Sequence, residues 1–348
     1  MATLDEALAR LPKAELHCHI EGTMRPATVV ELARKNGVEL PAEDPEELYR
    51  YTSLDSFLEV FWLVQACLAD RADWARLAYE SLVEAAEHGV VYRETFFTPA
   101  RHLAAGQRLA DIVAGLEEGL EAAERETGAR AMLIAGIDKA YGGEAGRQLV
   151  EELIELKRSG GAERVIGIGM DSTEQGNPPS RFVDAYRLAA GFGLRRTGHQ
   201  GETTEAGWIR DALDGLGLER IDHGIRVLDE PGLVRRLAEE GLPFTVCPTS
   251  NVRIANAVDR LEDHPFPSMR DAGLHVTINT DDPAMIDLDP AREYAACARA
   301  FGYGFDDMVR IARAAFEAAW LSAAERADLL KRLDRDADLL RREMARAG

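Results

Sequence analysis

A closed (β/α)8 barrel is the fold this sequence predicts, and three observations carry it. Eight short strand-like segments recur along the chain, most of them rich in Val and Ile and many ending in polar residues. Amphipathic helical patterns separate most of these segments. The length, 348 residues, lies within the range of one such barrel.

The strands are read at 15–20 (ELHCHI), 90–98 (VVYRETFFT), 130–137 (RAMLIAGI) and 165–171 (VIGIGMD). They continue at 195–200 (RRTGHQ), 220–225 (RIDHGI), 244–250 (FTVCPTS) and 275–281 (HVTINTD). Between them, 74–88, 109–125, 146–158, 180–191, 205–216 and 231–240 carry apolar residues three and four apart, with charges on the other face. Strands alternating with helices call for a parallel sheet. An open doubly wound sheet is the rival, but no GxGxxG follows the first strand. The connection between the first two strands is far longer than the usual βα-loop. Its aromatic run SFLEVFWLV, with Phe57, Phe61 and Trp62, suits helices packed on the barrel, a lid over its mouth, or both. Residues 306–348 read as closing helices. The expected organisation is one barrel domain over 1–348 with a helical insertion at about 25–75.

Composition narrows the partners. A net charge of −20 opposes nucleic acid and anionic membranes, whose binding needs Lys and Arg, and leaves a small neutral substrate compatible. No apolar run approaches the roughly 18 residues of a membrane span. The N-terminus has neither a basic nor an apolar signal region, so no secretion signal is expected. The four cysteines, Cys18, Cys67, Cys247 and Cys297, form no CxxC and no disulfide-like pattern, which suits a reducing cytoplasm. A homo-oligomer is compatible with the sequence.

The chemistry sits at strand ends. His17 and His19 form an H-x-H pair in PKAELHCHIEG. Residues two apart on a strand face the same side, so two imidazoles point at one spot, an arrangement that suits a divalent metal. GHQGE supplies His199 and Glu202, IDHG supplies His223, and INTDD supplies Asp281 and Asp282. In such a barrel the C-terminal strand ends converge over one mouth. Three neutral imidazoles and a carboxylate can hold Zn²⁺ and leave room for a water, whose pKa the ion lowers toward neutrality. Glu202, past a glycine, can stand beside the metal as an acid kept partly protonated by burial. His223 can orient or deprotonate the water. Asp282 can accept a hydrogen bond from a substrate N–H, or cap a helix, since DDPAM resembles a cap followed by proline. The other histidines are His88 at a helix end, His102 in a loop, His264 before Pro265 and His275 at the start of strand eight. For these four, packing is the expected role.

These segments, in this order, resemble the adenosine/adenine deaminase family of the amidohydrolase superfamily, over nearly the whole chain to about residue 320. The resemblance implies His17, His19, His199 and Asp281 as ligands of one Zn²⁺. It implies Glu202 as the acid protonating purine N1, His223 as the residue activating water, and Asp282 as the substrate-binding residue at N7. Related bimetallic hydrolases often carry a modified lysine at the end of strand four; GMDSTE has none, so a single metal is expected. Within the family, HCHIEG and DSTEQGNPPSRF (171–182) look like the branch acting on free adenine. That places Glu21 and Glu174 with Asp282 at the substrate, with Glu21 expected to reach into the space ribose would fill. The implied reaction is adenine to hypoxanthine plus ammonia. Adenosine deamination is the alternative, and aminodeoxyfutalosine deamination, on a branch that shares CPTSN, stands third. Other barrel hydrolases lack a use for a Glu202–Asp282 pair, and a purine-binding protein without catalysis would not need the full set. HQGE departs from the usual HAGE; Gln200 should face away from the metal. Cytidine-deaminase scaffolds need PCxxC, which is absent.

Overall fold

A computed structural model describes residues 2–41, 45–51 and 54–345. Parallel strands follow one another in chain order: Lys13–Glu15, Val90–Phe97, Arg130–Asp138, Val165–Asp171, a broken fifth strand, Ile221–His223, Pro243–Val246 and His275–Ile278. The fifth strand consists of Arg195–Arg196 and His199–Gln200. Backbone bonds from Thr197 to Ile168 (3.1 Å) and from Asp222 to Gly198 (3.0 Å) carry the ladder across the break. The barrel closes where the chain passes Lys13–Glu15. Cys18 pairs in parallel with Asp281, and His19 with Phe96. The Asp281 N–H donates to the His17 carbonyl, and the His19 N–H to the Asp281 carbonyl at 2.9 Å. The architecture is the (β/α)8 barrel that the alternation of patterns predicts. The regular ladder of strand one is shorter than 15–20, because beyond Glu15 the backbone bonds to strands two and eight singly.

The strands are buried along nearly their whole length, as expected with helices outside and packed side chains within. Ion pairs lie in this interior: Glu15 with Arg93 at 2.5 Å, and Glu94 with Arg220 at 2.6 Å. The Arg220 guanidinium also stacks 4.1 Å over the Trp320 ring.

After strand one come helices Pro26–Asn36, Pro45–Leu48, Leu54–Ala66 and Arg71–Glu87. Helix Pro26–Asn36 starts on a proline and stops at Gly37, whose φ of 70° ends it. Asp70 and Asp73 form a reciprocal cap on the last of the four helices. That helix packs closely on Leu109–Thr127, where a Cβ on Gly119 would lie 2.0 Å from the Ala75 carbonyl. Helices Phe305–Ala318 and Ala323–Ala345 end the described chain. His275, at the start of strand eight, faces the Ala314 carbonyl at 2.8 Å, a packing contact. No described helix is long and apolar enough to cross a membrane.

Candidate active site

The strand ends bring His17, His19, His199 and Asp281 onto one point. His199 Nε2 lies 3.0 Å from Nε2 of His17 and 3.0 Å from Nε2 of His19. Asp281 Oδ1 lies 3.3 Å from each of those two nitrogens. Three neutral imidazoles cannot all satisfy one another around a common point, because each offers either a proton or a lone pair there. Ligand atoms roughly 2.0–2.1 Å from a tetrahedral metal ion sit about 3.3 Å apart, so the cluster fits one divalent ion. The charge balance agrees. His19 is drawn up to about 10: burial opposes this, but the carboxylates of Asp281, Asp282 and Asp171 outweigh it. The site therefore favours a positive charge at its centre. His223 also lies within reach of the cluster. With His17, His199 and Asp281 it offers ligand atoms all within 4.8 Å of one another, yet its Nε2 is 4.0 Å from Asp281 Oδ2, a looser approach than the 3.3 Å of His19 to Oδ1.

His17 and Asp281 are held from behind by hydrogen bonds. His17 Nδ1 faces the Thr245 carbonyl at 3.1 Å, and His199 Nδ1 lies 3.6 Å from Asp222 Oδ2. Ser250 Oγ donates to Asp281 Oδ2 at 2.5 Å. His223 (φ 62°) and Asp281 (φ 67°) both adopt left-handed backbone at their strand ends. Such conformations cost on the order of 1–3 kcal/mol and persist where surrounding contacts over-determine them. Strand alternation ends there, so Asp281 and Asp282 both face the same cavity.

That cavity opens above the ligands, with Phe57, Phe61 and Trp62 of helix Leu54–Ala66 on its wall. The aromatic run thus covers the barrel mouth. Glu202 reaches the cavity with 17% of its side chain exposed. Burial, then the Asp281 and Glu174 carboxylates, push its carboxyl well above the usual range. Burial and the neighbouring imidazoles hold His199 and His223 well below the usual histidine range, so both rings are neutral. Asp282 is buried and its Oδ1 has no hydrogen-bond partner; burial, then the Asp281 carboxylate, push its carboxyl well above the usual range too. Lys139, fully buried at the end of strand three, donates to the His199 carbonyl at 3.1 Å. A lone lysine in IDKAY carries no spacing signal that would single it out.

Two expected substrate residues sit otherwise. Glu174 lines the cavity, but its carboxylate accepts the backbone N–H groups of Glu202 (3.1 Å), Thr203 (3.4 Å) and Thr204 (2.9 Å). It holds the loop that carries Glu202. Glu21 does not extend into the cavity. The chain turns at Glu21–Thr23, and the buried Glu21 Oε1 accepts the Thr98 N–H at 2.7 Å, one layer behind the wall. Burial pushes its carboxyl up to about 7. Gln200 contacts Thr204 Oγ1 at 3.3 Å. His102 lies in a short helix, Ala100–Ala104, rather than a loop, and packs against Trp74. His264 is buried but not idle: its Nε2 lies 3.2 Å from Asn251 Oδ1. Residues 42–44 and 52–53, within the expected insertion, lie outside the described residues.

A family model described as adenosine deaminase matches residues 12–336. The chain belongs to this family. Among its relatives, the adenine deaminase of Streptomyces coelicolor is 40% identical over 323 residues, covering 92% of this chain and 93% of that one. The adenine deaminase of Chlorobium luteolum is 36% identical, covering 94% and 95%. Among solved structures, an adenine deaminase from Arthrobacter aurescens superposes with a TM-score of 0.88 at 37% identity, covering 93% and 98%. An amidohydrolase from Burkholderia ambifaria with bound Zn gives 0.91 at 30% identity, covering 99% and 96%. Membership in the adenosine deaminase family agrees with the clustering of its motif residues at one barrel mouth.

Proposed function

We propose that this family member is a zinc-dependent adenine deaminase, converting adenine and water to hypoxanthine and ammonia. The observation that carries the reading is the placement, at one cavity, of two buried carboxyl groups, Glu202 and Asp282, beside a three-histidine, one-aspartate cluster. In this reading Glu202 gives the proton and Asp282, whose Oδ1 has no partner of its own, supplies the acceptor. A 6-aminopurine needs both, since N1 must gain a proton while a ring N–H seeks an acceptor. The relatives named adenine deaminase support the base rather than the nucleoside. Zinc is favoured by the donor set and by the zinc-holding neighbour.

His17, His19, His199 and Asp281 would hold the ion. Bound there, it supplies a Lewis acid that makes a water nucleophilic at neutral pH. The other steps belong to this chain. Glu202 donates to purine N1 as C6 is attacked, so the ring loses aromaticity without building a full negative charge. His223, buried against Glu202 and Asp281, orients the attacking water. Asp282 accepts from the N–H at N7 and fixes the ring. Phe57, Phe61 and Trp62 shield the cavity from bulk water.

Adenosine is the second reading, and a specific observation keeps it. Glu21 lies behind Thr98, so its added length over Asp does not itself fill the cavity. Only Glu21 Oε1 is held by Thr98, whose hydroxyl donates to Asp171 Oδ2 at 2.5 Å; Glu21 Oε2 has no partner. The deciding experiment measures ammonia release from adenine, adenosine, deoxyadenosine and aminodeoxyfutalosine. The expected result is kcat/KM highest for adenine by at least about 10²-fold, the size of discrimination that unpaired buried groups impose. Equal values for adenine and adenosine would reject the assignment.

A further inference from the structure

Asn251 stands at the end of the CPTSN segment, fully buried, with no place yet in the chemistry. Its side chain meets three residues from distant parts of the chain. Nδ2 lies 2.7 Å from Glu202 Oε1 and 3.1 Å from His223 Nδ1. Oδ1 lies 3.2 Å from His264 Nε2. The amide could be turned either way on shape alone, because its two ends are nearly equal in size.

The direction is nevertheless fixed from outside. The backbone N–H of Phe266 donates to His264 Nδ1 at 3.0 Å, and a backbone N–H can only donate. His264 is neutral, since burial holds it down to about 4. A neutral imidazole that accepts at Nδ1 carries its proton on Nε2. His264 Nε2 therefore donates to Asn251, whose facing atom must be the oxygen. The amide nitrogen then faces Glu202 and His223 and donates one hydrogen to each. His223 Nδ1 becomes an acceptor, and its ring proton is left on Nε2, the nitrogen turned toward Asp281.

We propose that Asn251, oriented by His264, is the positioning residue that aligns Glu202 with His223 and sets His223 to face the attacking water as a hydrogen-bond donor. One structural element thereby controls both proton-handling groups. The Glu202 oxygen that accepts from Asn251 is fixed, which leaves the other oxygen to carry the proton for N1. Of the two roles open to His223, orienting the water is retained and taking its proton is not. Glu202, left as a carboxylate once it has given its proton to N1, is then the acceptor for the water's proton. The competing arrangement puts the proton on His223 Nδ1, shared with Glu202 Oε1 at 3.4 Å. It would set two N–H groups against each other across the 3.1 Å contact with Asn251.

The inference rests on the proposed roles of Glu202 and His223, but its first test needs no substrate. The ring ¹⁵N shifts of His223 in metal-loaded wild-type enzyme, assigned by comparison with His223→Gln, report which nitrogen holds the proton. Protonation at Nε2 is expected; a proton on Nδ1 overturns the proposal whatever the substrate proves to be. Asn251→Asp replaces the donor with an acceptor at constant shape. It should move the His223 proton to Nδ1 and lower kcat by about 10²-fold, the penalty for misplaced catalytic groups, with KM for the best substrate and metal content little changed. His264→Phe removes the anchor and should lower kcat in the same direction. Combined with Asn251→Asp it should add little, since both changes break one chain of contacts. Additive losses, or an Asn251→Asp enzyme with wild-type kcat and an unmoved His223 proton, overturn it.

Discussion

Gly22 and Asp282 compete for one space: a Cβ built on Gly22 would lie 1.9 Å from Asp282 Oδ1. The glycine after Glu21 is therefore what admits the Asp282 side chain to the barrel mouth. Gly22→Ala should push Asp282 aside and lower kcat/KM for adenine by about 10²-fold, with metal content and overall fold retained. Asp282→Asn, which keeps the shape and weakens the acceptor, should reproduce most of that loss. Steady-state kinetics with elemental analysis on both variants checks this; a Gly22→Ala enzyme as efficient as wild type would mean Asp282 does not hold the substrate.

The metal cluster makes a separate prediction. Four ligand atoms within 3.0–3.3 Å contacts leave room for one ion. One equivalent of divalent metal per chain is expected, and a chelator should remove activity that zinc restores. His17→Ala should lose both metal and turnover, because three remaining ligands bind far more weakly. Two equivalents in fully active enzyme would overturn the single-ion site.

Glu202 carries the proton in this scheme, so Glu202→Gln should lower kcat at least about 10²-fold while leaving the metal in place. Its contact with Asn251 survives the change, since the amide oxygen can still accept from Nδ2. The comparison therefore isolates the proton from the geometry. Near-normal turnover of the metal-loaded variant would remove Glu202 from this role.

The ligands were readable from sequence because their residue types are rare and their spacing is set by strand geometry. His17 and His19 are two apart, and His199, Asp281 and Asp282 sit where strand-like runs give way to polar residues. What escaped reading acts across the barrel. Ser250, Asn251 and Lys139 belong to common residue types, and each matters through contacts with residues remote in the chain. His264 reads as packing in the sequence because nothing there marks Asn251 as its partner. Glu21 lies outside the cavity lining for a local reason: the strand gives way to a turn at Glu21–Thr23, so alternation no longer says where a side chain points. The left-handed backbone at Asp281 likewise turns Asp281 and Asp282 toward one cavity, where a continuing strand would separate them.

His102 links burial to acid stability. It is 3% exposed, packed against Trp74, with Nδ1 3.3 Å from Gln107 Nε2 and Nε2 without a partner. Burial, with help from Arg101, lowers its pKa to about 4. In the unfolded chain a histidine titrates near 6.5. Above about pH 6.5 the ring is neutral in both states and costs nothing. As pH falls from there toward 4, only the unfolded state takes up the proton, so stability drops by up to about 1.4 kcal/mol per pH unit. The total is on the order of 3 kcal/mol. His102→Gln has no proton to gain. It should lower stability at pH 7.5 through lost packing, yet lose less than wild type on going to pH 5. Urea unfolding at both pH values measures the difference. Parallel losses in the two proteins would mean that His102 is charged in the fold or reaches solvent before global unfolding.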